Sequence, residues 1–449
     1  MRDPRIDAER EQSIREWQEF CRFPSVASDR VAIEAAADWL EQKLRRLSER
    51  VERIEIPAYG PVVVAYFPGA SDKTLMLYNH YDVQPVGDLE QWVSGPFDSE
   101  IRDGAMWARG ACDDKADVTS RLRALELFIE DHPGGLPYSM IYLADPCEEI
   151  GSPGLETVLA ENAERLSSDA VLWESYLRED DGRPAVGFGC RGGMEIGLSL
   201  NILASNQHPS YSQILRSAPL ELMRAITSLV TEDGLIAVPG FTDSALRPDA
   251  AAKARTQELS LPGDAISLPG ISPLKDLPEA ELKERFIFTP SMSLSGFDID
   301  PSVSHSVPAK GTAKVRFGLV PGMDPHACFD AVKTFLGDTA PDIQVNLIRT
   351  MQPAFSPVDT PFAVSVLEAA TKAFEAEPVI YDVMTGSGPG AFFLEHLGAP
   401  LISPTGTLRP EGNMHGYNEH GYLEDYLTHI QFTLDLLNNL EANGFANND

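Results

Sequence analysis

The sequence predicts an α/β fold in which a smaller α+β block interrupts a larger domain. Three observations carry this reading. Short apolar strand-like runs alternate with amphipathic helices through the first 190 residues or so, the pattern of a sheet with covered faces. The texture changes near residue 191, where alternation loosens and residues 231–290 become rich in Pro, Gly and charge. Helix–strand alternation then returns after about residue 353. A chain of 449 residues that is 43% apolar has room for two or three domains and a core that needs no covalent staples.

Residues 5–22 and 31–49 read as amphipathic helices, the second being VAIEAAADWLEQKLRRLSE. VERIEI (51–56), PVVVAYF (61–67) and TLMLYNH (74–80) read as strands. A loop rich in Asp, Gly and Pro leads to a long helix over 115–131. YSMIYLAD (138–145) reads as a buried strand, 155–166 as a helix and DAVLWES (169–175) as a further strand. In the middle block MEIGLSLNIL (194–203), GTAKVRFGLV (311–320) and IQVNLIRT (343–350) read as strands, and 217–230 and 326–336 as helices. The stretch 231–290 yields no assignment. TPFAVSVLEAATKAF, EPVIYDV, APLISP and a last helix from about 423 to 440 restore the first pattern.

Composition excludes several functions. The 36 basic against 68 acidic residues leave a net charge of −32, a field that repels phosphate backbones, so nucleic acid is not expected as a partner. Five widely spaced cysteines (Cys21, Cys112, Cys147, Cys190 and Cys328) form no C-x-x-C pair, so reduced thiols in the cytoplasm are the simplest reading. The start MRDPRIDAER has no apolar core of a signal peptide, and no run of 18 apolar residues exists, so no membrane span is expected.

Five short motifs carry chemistry. His80-Tyr81-Asp82 ends an apolar strand run, and in H-x-D the carboxylate accepts from the second ring nitrogen, which fixes the tautomer of a metal-binding imidazole. Alone, the motif reads first as a histidine hydrogen-bonded in a turn. Arg109-Gly110-Ala111-Cys112-Asp113-Asp114-Lys115 leads into a helix, where either Asp suits an N-cap. Cys147-Glu148-Glu149-Ile150-Gly151-Ser152 follows the buried strand, at the carboxyl end where α/β proteins place their sites. Adjacent carboxylates repel, so one must be neutralised or bound to a cation. Trp173-Glu174-Ser175 again ends an apolar run, and Gly412-Asn413-Met414-His415-Gly416-Tyr417-Asn418-Glu419-His420 lies in a loop before the last helix. The first four obey one rule: an acid or His sits at a strand end or strand-to-helix turn.

In that order the motifs resemble the M20 family of metallopeptidases, the relatives of carnosinase, aminoacylase and glutamate carboxypeptidase. NHYDVQPV, WVSGPFDSEIRDGAMWARGACDDK and CEEIGSPGL carry the resemblance, which continues in DGLIAVPGF, PSMSLSGF and LVPGM. It implies a two-domain α/β architecture: a mixed-sheet di-metal catalytic domain from residues 1–193 and 353–449, and an inserted α+β lid and dimerisation domain from 194–352, with a hinge near Arg191-Gly192-Gly193. It implies two divalent metal ions, Zn²⁺ first, with Mn²⁺ or Co²⁺ as alternatives. Asp113 would bridge the metals, with His80 and Glu174 on one and Glu149 and His415 on the other. Glu148 would be the general base for a shared water, and Asp82 would orient His80. The Asp113–Asp114 peptide corresponds to one that is cis in this family. His208 would reach a partner subunit's site and support the oxyanion, which implies a homodimer.

The departures fall on the substrate side. His208 is followed by Pro209-Ser210, where the family has Ser-Gly. Many relatives grip a substrate carboxylate with an Arg where this chain has Gly318. Arg316, two residues earlier on the same strand face, is a candidate replacement, and a solvated Arg is the alternative. His305 stands where Asn or Thr is common. Ser387 and Gly388 resemble a substrate-contacting loop whose N–H groups suit a carboxylate. The expected reaction is hydrolysis of the amide C–N bond of a dipeptide or N-acyl amino acid. One alternative keeps the metals but cuts a non-peptide amide or arylamine bond, and another is a non-catalytic binding module.

Overall fold

The structure, a computed structural model, describes residues 2–261, 277–299 and 305–445. One six-stranded sheet has the spatial order Arg50–Ile56, Gly60–Phe67, Ser139–Asp145, Thr74–His80, Ala170–Leu172 and Leu401–Ile402. The first two pairings are antiparallel and the remaining three parallel, so the sheet is mixed, as the sequence predicts.

Successive side chains on a strand point to opposite faces, and both faces of this sheet are covered. Val63, Ala65, Leu75, Leu77, Met140 and Tyr142 pack into one core with the helices Arg10–Cys21, Arg30–Leu47, Lys115–Asp131 and Leu423–Asn443. Val62, Val64, Met76, Tyr78, Ile141 and Leu143 pack into a second core with Leu155–Glu161 and Gly390–Leu397. Burial on both sides is why these strands read as unbroken apolar runs. Asp29 caps Arg30–Leu47 by accepting from Val31 and Ala32 N–H, both at 3.1 Å, which satisfies donors that the first turn leaves open. The helix expected over 155–166 stops at Glu161. There Asn162 turns its side-chain amide onto the Val158 carbonyl, at 2.7 Å, a local bond that competes with the helical ladder.

The second sheet has the order Ser291–Asp298, Lys310–Leu319, Gly189–Asn201, Gln344–Met351, all antiparallel. Met194, Ile196, Leu198, Ala313, Val315 and Phe317 face the helices Ala218–Ser228 and Pro325–Thr339. The opposite face is the one that reaches the site. The strand expected from residue 194 begins at Gly189, and its first residues pair with Ala354–Phe355 and with Met384–Ser387. The boundary expected at 193 therefore falls inside one continuous strand. Gly192 sits where a Cβ would lie 2.5 Å from the Met351 carbonyl oxygen, so the glycine answers a close backbone approach. Within the unassigned stretch, Ala250–Gln257 and Glu279–Phe288 are helices, and residues 262–276 lie outside the described residues.

Beneath the carboxyl ends of the parallel strands lies a buried polar group. His429 Nδ1 is 2.8 Å from Ser120 Oγ and 3.2 Å from Asp117 Oδ1. Burial, reinforced by Arg121 and Arg178 and opposed by Asp117, lowers the His429 pKa from 6.5 to about 4. The imidazole is neutral in the fold but takes up a proton on unfolding anywhere between those values. Its contribution to stability is complete above pH 6.5 and is lost as the pH falls, by about 3 kcal/mol at the acid end. Urea midpoints measured across this range should decline toward acid in the wild type, and the decline should flatten in His429→Gln.

Candidate active site

The three central parallel strands deliver the chemistry. Thr74–His80 lies between Ser139–Asp145 and Ala170–Leu172, so their carboxyl ends share one edge. His80 is the last residue of the middle strand. Glu148 and Glu149 occupy a short turn just beyond Ser139–Asp145, and Glu174 follows Ala170–Leu172 by two residues. Asp113 arrives from the loop before Lys115–Asp131, and its peptide bond to Asp114 is cis. His415 comes from the loop after Pro410–Gly412 and has a left-handed backbone, φ 62°.

These groups converge around Asp113. Its Oδ1 is 3.1 Å from His80 Nε2 and its Oδ2 is 2.8 Å from His415 Nε2. Glu149 Oε2 lies 3.0 Å from His415 Nε2, and Glu174 Oε2 lies 3.6 Å from His80 Nε2. His80, Glu148 and Glu174 offer donor atoms within 4.8 Å of one another, and so do Asp113, Glu149 and His415. One carboxylate thus faces two imidazoles, each with its own acidic neighbours.

Further carboxylates hold this arrangement from behind. Asp82 Oδ1 is 3.3 Å from His80 Nδ1, and the Asp82 carbonyl oxygen is 3.2 Å from the same nitrogen. The Asp82 carboxylate also accepts from the backbone N–H of Glu148 at 3.0 Å and of Glu149 at 3.2 Å. It thereby ties the His80 strand to the Glu148–Glu149 turn. Asp114 accepts from His80 N–H at 3.1 Å and Asn79 Nδ2 at 2.6 Å.

Three residues were missed in the sequence. Glu419 accepts from the N–H groups of Cys112 and Asp113 and is paired with buried Arg109 at 2.6 Å. Arg109 in turn donates to the carbonyls of His415 and Gly416. Gln84 Nε2 donates to Glu149 Oε2 at 2.9 Å. Arg109 and Glu419 both lie inside motifs quoted from the sequence, but nothing local marks them as partners.

The electrostatics are those of crowded acids. Burial, and then the charge of Glu174, push the Glu148 carboxyl well above its usual range. Burial, with Asp113 nearby, raises Glu174 to about 7. Hydrogen bonds to Asp113 and Glu149 raise His415 to about 10. Burial disfavours protonated His80, but Asp113 and Asp82 outweigh it and lift its pKa well above normal. Burial likewise opposes ionisation of Asp113, yet the two imidazoles hold its pKa far below the usual carboxylate value. Without cations these groups balance their charges only by sharing protons. Glu174 Oε2 is buried with no hydrogen-bond partner. That orphaned oxygen, the two-sided Asp113 and the mixed imidazole and carboxylate donors fit a pair of divalent cations.

Two cavities flank the cluster and share Glu148, Ser387 and His415. One, about 260 Å³, is walled by Trp173, Tyr176, Leu177, Met384 and Met414, with Gly388 at its edge. A Cβ at Gly388 would lie 3.7 Å from Glu148 Oε1. The other, about 620 Å³, is lined by Gln84, Glu149, Glu195, Arg316 and Arg349. Gly318 opens onto neither, and a Cβ there would lie 2.6 Å from Ser291 Oγ. The single chain does not bring His208 or His305 to either cavity. His208 is exposed and bonds its own turn through Ser210, while His305 has a left-handed backbone, φ 61°.

The Arg109–Glu419 pair yields a prediction. Both side chains are almost wholly buried, 2% and 1% exposed. Removing one partner strands the other charge, so Glu419→Ala should lose about 3–5 kcal/mol, read as a fall in the denaturant midpoint. Glu419→Gln should lose less stability but hold metal about 10–100-fold more weakly.

Residues 76–439 match the model of peptidase family M20/M25/M40. The Cys-Gly metallodipeptidase of Schizosaccharomyces pombe is 25% identical over 362 residues, 73% of this chain and 73% of its own. The Beta-Ala-His dipeptidase of Homo sapiens is 25% identical over 393 residues, 80% of this chain and 73% of its own. The crystal structure of an M20 family metallo-carboxypeptidase from Sulfolobus solfataricus matches with a TM-score of 0.87 at 26% identity, covering 96% of this chain and 99% of that one. The family match runs from the strand that ends in His80 to the last helix: this chain belongs to peptidase family M20/M25/M40 and is a metal-dependent hydrolase.

Proposed function

We propose that this enzyme hydrolyses the amide C–N bond of a dipeptide or N-acyl amino acid, with Glu148 as general base. The observation that carries the reading is the Asp113 carboxylate facing both His80 and His415 while Glu148 borders both cavities. The names of the two dipeptidase relatives point the same way.

His80 and Glu174 would hold one cation, Glu149 and His415 the other, and Asp113 both. Two divalent cations there, Zn²⁺ in our reading with Mn²⁺ or Co²⁺ as alternatives, supply Lewis acidity that lowers the pKa of water and steadies negative charge. The protein's own part is positioning and proton transfer. Glu148 takes the proton of the attacking water and delivers it to the leaving nitrogen. The burial that raises its pKa makes it a stronger acceptor than an exposed glutamate. Asp82 fixes the ring of His80 and the turn that carries Glu148. Arg316 takes the substrate's terminal carboxylate, assisted by the Ser387–Gly388 loop.

His208 and His305 would serve the site of a second copy in a homodimer. Exposed Tyr211, Ile214, Leu220 and Met223, which follow His208 in the sequence, would supply apolar surface for that contact. All five thiols are buried and free, which favours a reducing, cytoplasmic setting. Among the described residues no helix is long and apolar enough to cross a membrane. The alternative of a non-peptide or arylamine C–N bond rests on Gly318; Arg316 and Arg349 in the larger cavity support the peptide reading.

The test is Glu148→Gln. It should lower turnover by about 100-fold or more while elemental analysis still finds both metals. Retained turnover would remove Glu148 from its role. In the wild type, dipeptides and N-acyl amino acids should be cleaved, and a chelator should stop it. Turnover confined to amides and arylamines without a carboxylate would favour the alternative.

A further inference from the structure

One strand irregularity points to the kind of residue this enzyme releases. In Gln344–Met351 the pairing with Gly189–Asn201 runs Asn346 to Gly197 and Leu347 to Ile196, then skips to Arg349 opposite Glu195. Ile348 is the extra residue of a β-bulge. In an unbroken strand Arg349 would share the face of Val345 and Leu347, which pack against the core of the second sheet. The bulge instead turns Arg349 onto the cavity face, next to Ile348, which is left 48% exposed. Bulges of this kind re-aim side chains beside active sites.

The cavity face then carries a row across three strands. Arg316 and Arg349 are both in register with Glu195, from opposite sides. Arg349 Nε is 2.9 Å from Glu195 Oε2, and no other hydrogen bond or ion pair engages it among the described residues. Its two terminal nitrogens are therefore uncommitted, on a side chain that is 60% exposed. Glu195 is itself steadied by Ser295 Oγ at 3.2 Å. Arg316 has no ion pair among the described residues. The two arginines stand on strands roughly 10 Å apart and line the same cavity as Glu148, Glu149 and His415. Cations are scarce in a chain with 36 basic and 68 acidic residues, yet two of them face one small space beside the reacting groups. One guanidinium suffices for a terminal carboxylate, and the second has a free bidentate edge, the geometry that matches another carboxylate.

We infer that Arg349 is a specificity residue for a second negative charge, so that the preferred substrates are dipeptides or N-acyl amino acids whose C-terminal residue is Asp or Glu. This rests on the proposed amide hydrolysis. Arg316 holds the terminal carboxylate, Arg349 the side-chain carboxylate, and Glu195 keeps Arg349 extended along the sheet.

The experiment compares kcat/KM for Ala-Glu and Ala-Gln, which differ by one charge at nearly constant shape, using the metal-loaded full chain. The wild type should prefer Ala-Glu about tenfold or more. Arg349→Met should bring that ratio close to one, mainly through a higher KM for Ala-Glu, and Arg349→Glu should shift preference toward Ala-Lys. Arg316→Met should lower kcat/KM for both peptides and keep their ratio. Circular dichroism melting checks that each variant is folded. Equal rates on Ala-Glu and Ala-Gln in the wild type, or an unchanged ratio in Arg349→Met, would overturn the inference and leave amide hydrolysis standing. No chelator-sensitive cleavage of either peptide would overturn both.

Discussion

Four carboxylates meet two imidazoles at the carboxyl ends of the parallel strands of a mixed sheet, and their mutual repulsion is the constraint the rest of the structure answers. Glu148 and Glu174 gather with His80, and Asp113 and Glu149 with His415, each set offering donor atoms within 4.8 Å of one another, and Asp113 also faces His80. In a partly buried site such charges are costly to assemble. The fold meets the cost with a second set of acids that accept backbone N–H groups from the segments bearing the first. Asp82 takes those of Glu148 and Glu149, Asp114 that of His80, and Glu419 those of Cys112 and Asp113. Each outer carboxylate thus fixes the backbone of a segment that bears an inner carboxylate or imidazole. Arg121, wholly buried, donates to the carbonyls of Tyr78 and Trp173, just ahead of His80 and Glu174, and holds the two strand ends together.

The parallel core of the molecule and the groups at its edge were legible because they obey rules of local pattern. Buried parallel strands are apolar throughout, so Thr74–His80 and Ser139–Asp145 stand out from their surroundings. An acid or histidine at the end of such a run is then conspicuous. Glu419 and Arg109 were not legible, since they are 310 residues apart and a buried ion pair looks, residue by residue, like surface charge. The same holds for Gln84, whose bond to Glu149 depends on how two loops meet.

The second sheet was harder to read for a different reason. Gly192-Gly193 looks like a joint in the sequence, and composition changes around it. In the structure those glycines lie inside a strand, and neighbouring backbone leaves no room for a Cβ at Gly192. The direction of Arg349 was hidden by a bulge. Alternation assigns it to the face of Leu347, and only the pairing register shows otherwise.

These two features act together at the site. The strand Gly189–Asn201 begins against Met384–Ser387, beside the catalytic edge, and continues as the strand that carries Glu195. The arginine row thus flanks a strand whose first residues pair with Met384–Ser387, and Ser387 borders the same cavity as Glu148. That matters because the protein is strongly acidic and so is its reacting centre. A substrate bearing carboxylates is repelled by both, and only a local reversal of sign draws it in. Under the proposed function Arg316 and Arg349 would provide that reversal in the same cavity, while the acids themselves are spoken for by imidazoles, backbone N–H groups and the cations they fit. In the proposed reaction the acids would do the chemistry and the two arginines flanking Glu195 would bind, both lining one cavity.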